Sequence, residues 1–320
     1  YEEIARRAAC SVSTVGRVLN RSGPVGAEMI RRVWQAESEL EASLYVRRHE
    51  RRMIGVLVPS VTNPVFAQSL SSIQERMRGA GHGVLIAQSN YDPEQEVEAV
   101  AALLAERPRG LILTVCSAAD SAALRGALPP TVLLHNEATP DHPAAVTVDN
   151  HQAAERLTAH LVRLGHRRIL FVSGEFTASD RAARRHQGYR AAMMSAGLAP
   201  LEPVQVSFID DYAMLDLTGA LAEHRPTAII ASNDLLALGV LHALRSHGVA
   251  VPEDVSVAGF DGMAIGRMIA PTLSTVDIPN AAMGAVAASL LLDMLDNAAP
   301  ARSMMMDAQL YSGGTVRDLR

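Results

Sequence analysis

Lysine is absent from this chain of 320 residues, so all 29 basic side chains are arginine. Cysteine is nearly absent: Cys10 and Cys116 stand far apart, too few for a disulfide framework or a zinc site. They read as two reduced thiols in different domains, since unpaired cysteine behaves as a small buried hydrophobe. No apolar run reaches the roughly 18 to 20 residues of a membrane span, and no charged, then apolar, then small-residue leader opens the chain. A cytoplasmic protein without a membrane partner is expected. The first residue is Tyr1 rather than Met, so the native start is expected upstream and the missing leader weighs less. Enzymatic signatures are missing too. There is no G-x-S-x-G elbow, Walker loop, G-x-G-x-x-G or H-E-x-x-H. His135, His151, His160 and His166 lack metal-ligand spacing and read as surface or helix-end residues. The acids Asp210 and Asp211 read as solvated groups in a polar loop. No catalytic residue, metal or cofactor is expected.

What is present suits a globular protein of two or three domains: 48% hydrophobic, 20% charged and too long for one ordinary core. The net charge of −5 does not suggest a nucleic-acid binder, but its distribution does. Residues 1–52 hold ten arginines against seven acids, a net +3 that leaves −8 on the remainder. A basic head on an acidic body is expected where only the head meets phosphates.

The stretch Ile4–Asn20, IARRAACSVSTVGRVLN, carries that head. Ile4 and Ala8 share one face of a first short helix. Val15, Val18 and Leu19 share one face of a second. Only Ala9, Cys10 and Ser11 lie between, enough for a tight turn, with Ser11 a good N-cap. This spacing describes a helix-turn-helix, whose second helix enters the DNA major groove. Ile30, Val33, Ala36 and Leu40 form a third stripe, with Trp34 beside it as a packing residue.

From Met53 the pattern alternates strand and helix. Apolar runs MIGVLV, GVLIAQ, GLILTV, TVLLH and AVTV are separated by helical patterns after Asn63, Asp92 and Ala119. The series restarts with RILFV, PVQVS, TAIIA and VSVAG, and the first helix of each half ends in Ala-Gly. Short apolar strands between helices predict parallel sheets covered on both faces, hence an α/β core of two doubly wound lobes. Ligands in such sheets bind beyond the carboxyl ends of the strands. Those ends carry Asn63 and Phe66, Asn90 and Asp92, Asp149 and Asn150, Arg184 and Arg185, Asn233 and Asp234, and Phe260 and Asp261. Carboxylates, amides and arginine beside an aromatic ring suit a polyol.

The run SVSTVGRVLN, Gly23-Pro24-Val25, MIGVLVPSVTNPVF, VTVDN, HLVRLGHRRILFVSG, IIASNDLLALGVLHALRSHGVAVPEDVSVAGFD and PTLSTVDIP resembles the LacI family of bacterial transcription regulators, in order and over nearly the whole chain. The resemblance implies a helix-turn-helix head over 1–44, a hinge or linker over 45–52 and a periplasmic-binding-protein-like core over 53–320. Its lobes would take about 53–164 with 280–300, and 165–279 with 301–320, crossing near Gly165, Pro279 and Pro300. A helix from Ala281 to about Leu295 would return to the first lobe.

The resemblance also implies roles. Val12, Ser13 and Arg17 would face base edges; Arg17 can pair guanine O6 and N7, or serve as a phosphate contact. Thr14 and Asn20 would touch phosphate or cap the helix. Leu44 and Val46 are the candidate minor-groove wedges of the hinge, with Arg47 and Arg48 as phosphate grips. Phe66, Asp149, Arg185, Asn233 and Asp261 would hold the effector. Asn233 and Asp234 compete as N-caps, with Asp234 the purer cap; Asp149 is equally an N-cap, and Asp261 has an alternative as a turn residue. Ala9 stands where the family carries Gly, Gly16 where it carries Ser, Gly262 where it carries an acid, and the linker lacks the family's Pro-Asn turn.

The expected function is a ligand-responsive repressor, working as a homodimer or higher oligomer on operator DNA and sensing a sugar-like metabolite. The alternatives are a sugar-binding transport protein with an inert head, and a regulator sensing a nucleoside or purine.

Overall fold

A computed structural model describes residues 1–49, 52–208 and 212–320, with the side chains of 43–49 outside the described set. Asp210 and Asp211 fall outside the described residues, as do the side chains of Leu44, Val46, Arg47 and Arg48.

The head is three helices: α1 (Glu2–Arg7), α2 (Val12–Leu19) and α3 (Ala27–His49). Ile4, Ala5, Ala8, Val15, Val18, Val33 and Ala36 form its closed core, with Ile30 and Leu40 at the edge. The Arg32 guanidinium donates to the Ala8 carbonyl at 2.6 Å, tying α3 to the end of α1. Two expectations change here. The third helix does not stop at the head's boundary; the run from Leu40 to His49 contains no Gly, Pro or Asn to break it, and α3 continues through it. Trp34, next to Val33 in sequence, is turned off the buried stripe and is 46% exposed.

The core holds two six-stranded sheets of the same winding. The first is ordered β11-β5-β4-β3-β1-β2 and the second β12-β10-β9-β8-β6-β7. In the first, β1 (Met53–Val58), β2 (Gly83–Gln88), β3 (Gly110–Leu113), β4 (Thr131–Leu134), β5 (Ala145–Val148) and β11 (Ser303–Met306) are all parallel. In the second, β6 (Ile169–Gly174), β7 (Val204–Val206), β8 (Ala228–Ala231), β9 (Ser256–Asp261) and β10 (Ser274–Asp277) are parallel, and β12 (Gln309–Tyr311) is antiparallel to β10. The inner strands β3, β4, β5, β6, β8 and β9 are buried along their whole length. Continuous Val/Ile/Leu runs are what a sheet covered on both faces requires.

Helices α4 (Pro64–Gly79), α5 (Pro93–Ala105) and α10 (Asn280–Asp296) cover the first sheet; α7 (Asp180–Ser195), α8 (Thr218–His224) and α9 (Asp234–Ser246) belong to the second. Pro64 and Pro93 sit at the first helical positions behind the N-caps Asn63 and Asp92, where a missing N–H costs nothing. The helices α4 and α7 both end in Ala followed by Gly at positive φ (Gly81, Gly197), a left-handed exit that only glycine takes without strain.

The crossings differ from expectation at two of three points. Helix α6 (Asn150–Arg163) packs on α7, so closely that a Cβ on Gly188 would meet the His151 carbonyl at 2.1 Å. The first crossing therefore falls at Asp149, not near Gly165. The second lies at Ile278–Pro279, between β10 and α10. The third lies at Asp307–Ala308 rather than Pro300, because Ser303–Met306 completes the edge of the first sheet before the chain moves to β12. The segment after Ala119 forms only a single 3-10 turn, Ala122–Leu124, cut short before Gly126 and the Pro129-Pro130 pair.

Both cysteines are free, Cys10 half-buried in the head and Cys116 buried in the core. Burial, and then the neighbouring Glu96 carboxylate, push the Cys116 thiol up to about 12. Among the described residues no helix is long and apolar enough to cross a membrane.

Candidate functional site

In both sheets the winding reverses beside the first strand, at β1 and at β6, and it is beyond their carboxyl ends that a crevice opens. Its walls are built from helix beginnings: Asn63 and Phe66 of α4, Asn150 of α6, Ser179, Arg181 and Arg185 of α7, Asn233 of α9 and Asn280 of α10.

Arg185 stands at the centre, 7% exposed. Its Nη1 lies 3.1 Å from Asp261 Oδ1 and donates to the Ser232 carbonyl at 2.6 Å, while Nε donates to Asn150 Oδ1 at 2.8 Å. The guanidinium also lies 4.7 Å over the Phe260 ring, a cation–π contact strengthened by the burial of both groups. Burial lowers the Arg185 pKa against the raising effect of Asp261; burial raises that of Asp261 against the lowering effect of Arg185. Each charge is tolerated at this depth because the other is present. Asp261 reaches its place at φ +104, and a Cβ on Gly262 would lie 2.2 Å from Asp277 Oδ1, so the acid carried here by the family is sterically excluded.

An aromatic and imidazole wall faces this pair. Phe66 meets Tyr91 edge-on at 6.2 Å and His135 at 5.6 Å, and Tyr91 stacks on Phe208 from the opposite lobe at 4.5 Å. Burial raises the Tyr91 hydroxyl to about 12, and Asn63 donates to it at 3.2 Å. The ring of His135 is buried beside Ser69 Oγ, 3.1 Å from Nε2. Burial first, then Arg181 and Arg185, hold it down to about 3, so the imidazole is neutral.

Other bonds join the lobes across the crevice. Asn136 donates to Asp180 at 2.9 and 3.0 Å, the backbone N–H of Ala118 donates to Asp180 Oδ2 at 3.1 Å, and Arg184 pairs with Glu137 at 2.7 Å.

Four of the five expected effector residues, Phe66, Arg185, Asn233 and Asp261, line this crevice. Asp149 does not. Its carboxylate accepts from the Gln152 N–H at 2.8 Å as the N-cap of α6, and the next residue, Asn150, takes the inward position. Asn233, not Asp234, caps α9, accepting from the Leu236 N–H at 2.8 Å. Fully buried Asp234 instead accepts from the Met263 N–H at 2.7 Å and from Thr275 Oγ1 at 2.6 Å. Burial, and then Asp261, raise its pKa to about 7. Asn90 and Asp92 stay outside: Asn90 pairs with Gln95, and Asp92 caps α5. Two histidines read as superficial are not. His135 lines the crevice, and His166 is buried between Thr227 Oγ1 and the Arg317 carbonyl.

Reading the strand ends one at a time missed Tyr91, His135, Ser179, Arg181, Phe208, Ser232 and Asn280. Tyr91 lies beside two residues that were singled out, and SNYD following a strand was its available signal. Nothing local marks Asn280 or Phe208.

On the head, Ser11 caps α2 by accepting from the Thr14 N–H at 3.2 Å, and its hydroxyl meets those of Ser13 and Thr14 at 2.9 and 2.8 Å. Thr14 is half-buried in this capping cluster. Val12, Ser13, Arg17 and Asn20 are exposed on α2, with Asn20 its C-cap. Arg17 folds back, its Nε 3.4 Å from the Ser13 carbonyl and its stem beside Gly23. The turn between α1 and α2 places Ala9 at φ +48, the left-handed region where glycine is favoured.

A family model for a periplasmic binding protein-like domain matches residues 158–316. The ribose operon repressor of Halalkalibacterium halodurans is 31% identical over 303 residues, spanning 92% of this chain and 89% of that protein. The HTH-type transcriptional regulator GntR of Escherichia coli K12 is 29% identical over 326 residues, 98% of each chain, and so includes the head. The crystal structure of a LacI family transcriptional regulator from Silicibacter pomeroyi superposes with a TM-score of 0.75 at 29% identity, over 83% of this chain and 99% of that one.

Proposed function

Because the chain belongs to the LacI family of DNA-binding transcription regulators, we propose that it is a repressor whose hold on operator DNA is set by a small polyhydroxylated effector bound between its two lobes. The observation that carries this reading is the Arg185–Asp261 pair. It presents a guanidinium and a carboxylate together, nine-tenths buried, with amides from Asn150, Asn233 and Asn280 around it and the Phe66 ring at one side. Neighbouring hydroxyls need donors and acceptors in alternation, and an aromatic face packs the C–H side of a sugar ring. Neutral His135 adds a group that can accept or donate according to tautomer.

The head acts through α2, with Val12, Ser13 and Arg17 toward base edges and Asn20 and the Ser11–Thr14 capping cluster toward phosphate. One such helix makes few base contacts. Two copies related by a two-fold axis double them and match a palindromic operator, so the working unit is a homodimer. The effector bridges both lobes, and its binding alters their angle. The connection through residues 45–52 passes this change to the spacing of the heads. Leu44 and Val46 enter the minor groove, while Arg47 and Arg48 hold phosphate.

The test is DNA retardation by the purified protein on its own promoter region, with and without candidate sugars. Binding to a palindromic site that one of these sugars shifts supports the reading. A head that binds no DNA in any condition would favour a sugar-binding protein instead. A response confined to nucleosides or purines would reassign the effector.

A further inference from the structure

The crevice lining holds two arginines, Arg181 and Arg185, and one acid, Asp261. Arg185 is met by Asp261. Arg181, one turn earlier on α7 and 7% exposed, is not fully met. Its Nη1 donates to the Val115 carbonyl at 2.9 Å and lies 3.3 Å from Asp180 Oδ1, while its Nη2 is buried with no hydrogen-bond partner among the described residues. Asp180 is a weak counter-charge, because its two oxygens already take bonds from Asn136 and the Ala118 N–H across the crevice. A buried charged donor left unpaired costs more than a neutral one, so a group that satisfies it gains correspondingly.

Two further features point the same way. Five helices, α4, α6, α7, α9 and α10, bring their amino ends to the lining through Asn63, Asn150, Ser179, Asn233 and Asn280. Each contributes roughly half a positive elementary charge. Ser232 Oγ and Asn280 Oδ1 are also buried in the same lining with no partner among the described residues. One unpaired guanidinium donor in the same lining as an unpaired hydroxyl and an unpaired amide oxygen is the complement of an anion that also carries hydroxyl groups.

We propose that the effector is an acidic polyol, a sugar derivative bearing a carboxylate or phosphate, whose anionic oxygen takes the free Nη2 of Arg181 while its hydroxyls engage Ser232 and Asn280. This rests on the polyol reading of the cleft and narrows it. A neutral sugar can offer Arg181 only a hydroxyl oxygen, a weaker acceptor than an anionic one.

Calorimetry and thermal shift on the full chain with matched pairs test it: D-gluconate against D-glucitol, D-glucuronate against D-glucose, and ribose 5-phosphate against ribose. The expected result is that an acid binds at least tenfold tighter than its neutral partner, the responding pair separating carboxylate from phosphate. Arg181→Gln should remove that preference, lowering affinity for the acid far more than for its neutral partner, and Arg181→Lys should retain part of it. A neutral sugar that binds as tightly as its acid would overturn the inference and leave the polyol reading standing. So would an acid whose affinity survives Arg181→Gln in a protein that melts like the parent. If no member of either series binds, the polyol reading falls and the inference with it.

Discussion

The head and the crevice solve opposite problems with similar residues. On α2 the working groups are close in sequence, mostly exposed and held by local bonds: Ser11 to Thr14, Arg17 to the Ser13 carbonyl. In the crevice they are buried and drawn from both lobes, and Arg185 alone bonds to Asn150, Ser232 and Asp261. An exposed arginine is free to be recruited by DNA. A buried one is fixed in advance, and its partners are part of the stability of the core. The difference predicts that mutations in the crevice act on folding and response together, whereas mutations on α2 act on DNA binding alone.

The sharpest break of that contrast is Asp261→Ala. It leaves the Arg185 cation buried without its acid, and should cost the core about 3–5 kcal/mol in denaturant unfolding and abolish the effector response. A variant of unchanged stability and response would show that the pair is incidental. Arg17→Ala should leave unfolding unaltered and cost about 1–3 kcal/mol on the correct operator, relaxing one base position. An equal loss on random DNA would make Arg17 a phosphate contact.

His135 gives a pH test of about 2 kcal/mol. Its folded pKa lies near 3, below the ordinary 6.5, so its contribution is fully present above 6.5 and is lost as pH falls toward 3, close to 2 kcal/mol by pH 5. Asp234 works with the other sign. Its carboxyl is raised from 3.8 to about 7, so that contribution is largest at low pH and fades as pH rises from about 4 through 7. His135→Gln should flatten the acid-side loss measured by urea unfolding between pH 7 and 5, and an unaltered slope would remove His135 as its source. The smallest effect belongs to the head. Ala9→Gly relieves the φ of +48 and should stabilise the head by about 1 kcal/mol, read from the hydrogen-exchange protection of Val15 and Val18. Unchanged protection would mean that the turn carries no strain.

The same contrast explains what could be read in advance. The head was legible because its chemistry is local: Ser11 before Val15, Val18 and Leu19 specifies cap, helix and face within nine residues. Both sheets were legible too, because continuous apolar runs between helical patterns admit few other folds. Strand ends offered Phe66, Arg185, Asn233 and Asp261 within a longer set, and the family resemblance singled them out. It could not tell Asp149 from Asn150, where a single residue decides between capping and lining. His135 and Arg181 act through burial, which depends on what the opposite lobe brings. Phe208 and Asn280 become visible only when the lobes meet. The linker's lack of the family's Pro-Asn turn was visible in the sequence, and α3 runs on through it to His49.

The most direct measurement is the effector's affinity, by titration calorimetry, with and without saturating operator. If the crevice and the head are coupled through one change in lobe angle, the factor by which operator alters effector affinity must equal the factor by which effector alters operator affinity. A factor of at least five, the same in both directions, is the predicted result. Identical effector affinity with and without operator would contradict the account.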